Sequence, residues 1–162
     1  IAVVMFILGL WGRSLMAYDS SFVSYQRVPV DAARWMKENS HSGRLFNDDR
    51  AGGYLAFANP GDSIYIDGRF ILKTADFFQQ YLQFANAPAR FIQYADSSGI
   101  DRAIFPLKYY ARWNHLVESL LLQCSQNPCS MQDSPWHVAY KDEYFVVLQR
   151  KQLSTDPLTT DN

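Results

Sequence analysis

Two short segments hold the residue types that a binding or catalytic rim needs. Asn47-Asp48-Asp49-Arg50 closes one expected strand, and Asp67-Gly68-Arg69 closes the next. In open parallel sheets, ligands bind beyond the carboxyl ends of the strands, so carboxylates and guanidinium groups from both segments are expected to converge there. Asp48, Asp49 and Asp67 offer hard oxygen ligands for a divalent cation. Arg50 and Arg69, with the helix start at Gly52-Gly53, would instead receive an anionic group. The structural alternative is that Asp and Arg at strand ends pair with each other or cap the next helix. The glycine pair has its own alternative, close packing of a helix on a strand, and it lacks the spacing of either phosphate-loop signature.

Other chemistries have less to draw on. There is no Gly-x-Ser-x-Gly elbow and no His-Glu-x-x-His, and His41, His115 and His137 are scattered over an expected loop, helix and strand. Each reads as a surface or satisfied structural histidine. Cys124 and Cys129 flank Ser-Gln-Asn-Pro. In an extracytoplasmic setting they could close a short disulfide loop worth about 2 kcal/mol on the loop-entropy model; spacing leaves two free thiols open as well. A zinc site adding His115 and His137 would need irregular spacing unlike compact Cys/His patterns. Tyr109, Tyr110 and Trp113 could stack on sugar rings, although aromatics at helical spacing are usually core. No Asn-x-Ser/Thr acceptor occurs, so glycosylation is not expected.

The elements that must carry these residues alternate. Pro29 and Asp31 open a helix with Ala32, Ala33, Trp35 and Met36 on its apolar stripe, which ends over Asn39 to Gly43. Arg44 to Asp48 reads as a short strand, Gly52 to Phe57 as a short helix stopped by Asn59-Pro60-Gly61, and Ser63 to Asp67 as the next strand. Thr74 to Ser97 carries a helical pattern that Pro88 divides in two. A strand over Ile100 to Phe105, a helix over Tyr109 to Gln123, and a hairpin pairing Trp136–Tyr140 with Tyr144–Gln149 complete the order. This pattern predicts an α/β fold: a mainly parallel sheet with helices on both faces, Rossmann-like in three layers, finished by a C-terminal antiparallel β-hairpin.

The chain of 162 residues, 48% hydrophobic, suits one core. Fifteen basic residues against sixteen acidic ones leave a net charge of −1 and no basic block, which argues against a nucleic-acid partner. The uncharged run Ile1 to Gly12 ends at Arg13. As a helix rising ~1.5 Å per residue it covers ~18 Å, short of the ~30 Å hydrocarbon core. Because the chain starts at Ile1 rather than Met, the run reads as the end of a longer membrane helix, with Trp11 and Arg13 at the interface. A buried element of a soluble domain and a signal-peptide core are the alternatives. The expected organisation is a membrane segment over 1–13, a linker over 14–27, the α/β domain over 28–150 and a polar, fraying tail over 151–162.

Pro29, Ala33, Trp35, Gly43-Arg44-Leu45-Phe46-Asn47, Gly52-Gly53-Tyr54-Leu55, Ile66-Asp67-Gly68-Arg69, Trp136 and Tyr140-Lys141-Asp142, in this order, resemble the C-terminal soluble domain of polytopic bacterial membrane proteins. Many of these are presumed glycosyltransferases that use lipid-linked sugar donors, and the similarity covers about residues 28–150. In related oligosaccharyltransferases a Trp-Trp-Asp-Tyr-Gly segment helps recognise the acceptor peptide; here the comparable strand end lacks the tryptophans. The catalytic carboxylates of that class lie in loops of the membrane part. The resemblance therefore implies a periplasmic or extracellular accessory domain, not catalytic alone, needing no cofactor of its own. Its partners would be the membrane part of the same protein and a glycan or lipid-linked acceptor, with Asp48, Asp49, Arg50, Asp67 and Arg69 as the binding residues. An independent soluble enzyme using a divalent cation on the same rim, and a structural or protein-binding domain, are the competing expectations.

Overall fold

The computed structural model describes residues 24–39, 43–69, 72–108, 111–122 and 134–151, together with Gly9 and Gly12. Most of the expected membrane segment and of the linker, His41, Tyr109, Tyr110, the Cys124–Cys129 pair and nearly all of the tail lie outside the described residues. Among the described residues, no helix is long and apolar enough to cross a membrane.

Helix α1 spans Val30–Glu38, with Asp31 in its first turn and Lys37 in its last, each of the sign that the helix dipole favours. Its end is closed by Asn39, whose backbone N–H and side-chain amide both donate to the Trp35 carbonyl at 2.9 Å. Strand β1, Arg44–Asn47, leads directly into α2, Asp49–Ala58. Thr74 caps α3, Ala75–Asn86, by accepting from the Phe77 N–H at 3.3 Å. Pro88 ends that helix and opens α4, Pro88–Ser98, because a missing N–H costs nothing in a first turn and a hydrogen bond in an interior one. Gly99 then turns the chain in the left-handed region, at φ 67°. Strand β2, Ile100–Pro106, a 3₁₀ turn at Ala111–Trp113, α5 at Asn114–Leu121, β3 at Trp136–Lys141 and β4 at Phe145–Arg150 follow.

The sheet has the order β1-β2-β4-β3. Only β1 and β2 are parallel; β2 with β4, and β4 with β3, are antiparallel. The α/β class and the terminal hairpin are therefore as expected, but the sheet is mixed rather than mainly parallel. Two physical reasons account for this. The hairpin inserts its second strand against β2, which makes two of the three ladders antiparallel. Ser63–Asp67, expected as a strand, is irregular backbone held by one side chain (below), so it adds no parallel ladder. Asp142 shapes the hairpin: its Oδ1 accepts from the Tyr144 and Phe145 N–H groups, both at 2.7 Å, which turns the backbone through its side chain.

Period-two alternation divides the strands between two cores. Leu45, Ile104, Phe145 and Val147 face α1 and α2, meeting Ala32, Ala33, Met36, Ala51 and Leu55. Phe46, Ala103, Phe105, Val146 and Leu148 face the other way, against residues of α3, α4 and α5. Helices thus cover both faces of the sheet. Phe46 is the centre of the larger core: it is fully buried, and the rings of Tyr65, Tyr81, Phe84, Phe91, Phe105 and Trp113 lie 4.7–6.0 Å from it. Several of these contacts are edge-on or tilted, the arrangements that ring quadrupoles favour. Replacing Phe46 by Ala is expected to cost about 3–5 kcal/mol through lost burial plus a residual cavity, and Phe46→Leu distinctly less, as measured by urea unfolding.

Candidate functional site

At the carboxyl end of β1 the first segment meets the backbone just ahead of the second, Tyr65-Ile66. Asn47 is the joint. Its Oδ1 accepts from the Tyr65 N–H at 2.8 Å and the Ile66 N–H at 3.4 Å, while its Nδ2 donates to the Ile66 carbonyl at 2.6 Å and to the Asp48 carbonyl at 2.9 Å. One buried amide therefore does for Tyr65-Ile66 what a neighbouring strand would do, satisfying backbone groups that burial would otherwise leave unpaired. Gly52 lets α2 fit against this joint: a Cβ there would overlap the Ile66 carbonyl and crowd the Asn47 amide, whereas Gly53 faces open space. The first glycine of the pair is thus required by close packing of a helix on irregular backbone, and the second is not.

Asp48 turns inward. It is 2% exposed, and its Oδ1 caps α2 by accepting from the Arg50 N–H at 3.1 Å. The buried Trp113 indole donates to its Oδ2 at 2.7 Å. Burial pushes the Asp48 carboxyl above the ordinary carboxylate range, and the neighbouring Asp49 charge adds to the rise; the Trp113 and Arg50 hydrogen bonds oppose it. Asp49 is half-buried and joins Asp48 through Tyr81: the Asp49 N–H donates to the Tyr81 hydroxyl at 3.0 Å, and that hydroxyl reaches Asp49 Oδ1 at 3.1 Å, with Asp48 Oδ2 at 3.5 Å. Burial and the two carboxylates in turn hold the Tyr81 phenol far above its usual range, so it serves only as a neutral hydroxyl. The Arg50 side chain is exposed, and its part in this cluster is played by its backbone.

Asp67 and Arg69 form a separate, outward pair. Asp67 Oδ1 accepts from the Arg69 N–H at 2.9 Å, and its Oδ2 accepts from Arg69 Nε at 2.8 Å and from Nη2 at 2.5 Å. The guanidinium holds the Asp67 carboxyl below the usual range and is itself held charged. The pair borders a shallow cleft of about 170 Å³ lined by Tyr65, Leu72 and Lys73 among others. Among the described residues, no group of three or more His, Cys, Asp or Glu side chains is arranged to hold a metal ion.

Of the five carboxylate and guanidinium groups singled out from the sequence, Asp48 and Asp49 share one cluster through Tyr81 and Asp67 pairs with Arg69 in another; the residues that lock the first cluster were missed. Tyr81 lies in a helical aromatic stripe and Trp113 in another, and both read as core. The available signal was chemical: a buried hydroxyl or indole N–H on an apolar stripe needs a partner. A buried ion pair at the opposite end of the sheet also went unread. Arg102 is 3% exposed in β2, and its Nη2 donates to the Gly43 carbonyl at 3.2 Å and to Asp62 at 3.1 Å. His115 is exposed at the start of α5, and the half-buried His137 lies in β3. In comparisons with known proteins, no family model and no curated protein matches the chain.

Two expectations follow. Trp113→Phe removes a hydrogen bond to the buried Asp48 carboxyl and should cost about 1–2 kcal/mol at neutral pH. Because the Asp48 carboxyl is raised in the folded state, its contribution is complete below the unfolded carboxylate value of 3.8 and is lost as pH rises through the folded value. Losing the indole raises that folded value further, so the gap between wild type and Trp113→Phe should narrow when urea unfolding is repeated at pH 4. The adjacent glycines should respond oppositely: Gly52→Ala should destabilise by about 1–3 kcal/mol through overpacking, and Gly53→Ala should stabilise by about 0.5–1 kcal/mol, as alanine does in a helix interior.

Proposed function

We propose that the chain is an accessory extracytoplasmic domain of a polytopic membrane protein, a glycosyltransferase that uses lipid-linked sugars, and that it helps to seat the acceptor without being catalytic alone. The observation that carries this reading is the exposed Asp67–Arg69 pair, preset by three hydrogen bonds beside a cleft lined partly by Tyr65. A pair fixed in this way, with Nε and Nη2 both on Oδ2 and the backbone N–H on Oδ1, offers both acceptor and donor atoms to ligand hydroxyls with little left to reorganise on binding. The order of short motifs that resembles soluble domains of that transferase class supports the same reading.

The division of labour among the carboxylates also supports it. Asp48 is sequestered, with donors on both oxygens, and acts as a structural anchor that leaves chemistry to the membrane part. In this reading the domain sits on the periplasmic or extracellular face and packs over that membrane part. A purely structural role draws on the same Asp48 anchor, and the two readings differ in what Asp67 and Arg69 do.

In the intact membrane protein, the double variant Asp67→Ala/Arg69→Ala should lower acceptor-dependent transfer about ten-fold while shifting the thermal midpoint by less than about 2 °C, since exposed ion pairs contribute little stability. Activity and stability assays on the same preparation check this. Parallel losses of activity and folding would instead favour the structural role.

A further inference from the structure

Beside the Asp67–Arg69 cleft lies a second one of about 260 Å³, and the two share Ile64, Tyr65 and Lys73. The two adjoin at these residues in one groove-like stretch of surface, and the larger comes close to the size of about 300 Å³ at which small-molecule sites begin. Its chemistry is lopsided. The second cleft is lined by the cations Arg44 and Lys73 and by no carboxylate. The one carboxylate of the adjoining cleft, Asp67, is already neutralised by Arg69. Both cations are positioned by the protein: Arg44 Nη1 donates to the Ser98 carbonyl at 3.1 Å, and Lys73 Nζ stands 4.7 Å from the centre of the Phe77 ring.

The remaining walls are aromatic. Tyr65, Phe77 and Tyr94 line the cleft, with the Tyr65 ring 5.3 Å from Phe77 and 6.0 Å, edge-on, from Tyr94. Burial pushes the Tyr65 phenol far above its usual range, so it stays neutral. Aromatic faces take the apolar face of a sugar ring, and fixed cations take a carboxylate or phosphate on it.

We propose that this groove is a binding site for an anionic sugar, a ring bearing a carboxylate or a phosphate, with Arg44 and Lys73 taking the anion and Tyr65 and Phe77 the ring. The assignment rests on the acceptor-seating reading above and narrows it to a charge class.

The test uses the full 162-residue chain, labelled with ¹⁵N and titrated separately with glucuronate, glucose 1-phosphate, glucose and inorganic phosphate, with amide shifts of Arg44, Tyr65, Lys73 and Phe77 followed. Saturable shifts are expected with glucuronate or glucose 1-phosphate, at affinities at least about five-fold above those for glucose and for phosphate. Whichever of the two binds more tightly identifies the anion as carboxylate or phosphate. Lys73→Gln and Arg44→Gln should each weaken that binding about ten-fold while leaving amide positions outside the groove unchanged, which separates lost binding from lost folding. Glucose binding as tightly as glucuronate and glucose 1-phosphate, with both variants unaffected, would overturn the anionic assignment and leave the acceptor-seating reading standing. Inorganic phosphate binding as tightly as glucose 1-phosphate would reduce the groove to a plain anion site and overturn the proposal. No response to any of the four probes would overturn both.

Discussion

The last residue of an edge strand has backbone groups on one side that no ladder satisfies, and here the rest of the site depends on how that need is met. β1 is four residues long and, among the described residues, pairs only with β2, so the irregular backbone on its other side is not joined to it by a ladder. Asn47 substitutes its own amide, which both donates and accepts, and so binds Tyr65 and Ile66. An aspartate could not donate to the Ile66 carbonyl, and an apolar residue could do neither. Once this joint exists, Gly52 is required where α2 meets it, Asp48 is buried beside it, and Asp67 emerges just beyond it.

Burial then assigns roles to chemically similar groups. Asp48 and Asp67 are both carboxylates in segments that follow Leu45-Phe46 and Tyr65-Ile66, and their environments push them in opposite directions. Asp48 loses water and gains an indole N–H, a cap N–H and a like-charged neighbour. Asp67 keeps water and gains a guanidinium. The former, with Asp49 beside it, ties α2, α3 and the 3₁₀ turn before α5 to the end of β1 through Tyr81 and Trp113. The latter faces the groove shared with Tyr65 and Lys73. Tyr65 belongs to both worlds: its backbone is held by Asn47, its ring packs on Phe46, and its other neighbours line the groove. The groove is thus mounted directly on the larger core.

At the other end of the sheet, Arg102 does comparable work without contributing to the groove. Its guanidinium links the Gly43 carbonyl to Asp62, joining the entry to β1 and the loop after α2. Both ends of the short parallel pair are therefore closed by buried polar side chains, while the antiparallel hairpin closes its own turn through Asp142.

The residues alone determined the order of helices, the break at Pro88 and the terminal hairpin. Those features are local: a missing proline N–H, a turn rich in polar residues, and apolar periods of 3.6 or two act within a few residues, whatever the remainder of the chain does. Even Leu45 and Phe46 could be read as facing opposite ways from their adjacency. Tertiary structure alone decided that Ser63–Asp67 would be held by a side chain rather than a ladder, and that β4 would sit beside β2, making the sheet mixed. It also decided which aspartate is buried. Period-two patterns describe a strand and an extended irregular segment equally well, and strand order depends on contacts between residues such as Ala103 and Leu148, far apart in the chain. The fate of Asp48 depended on Trp113, which only folding brings within 2.7 Å of it.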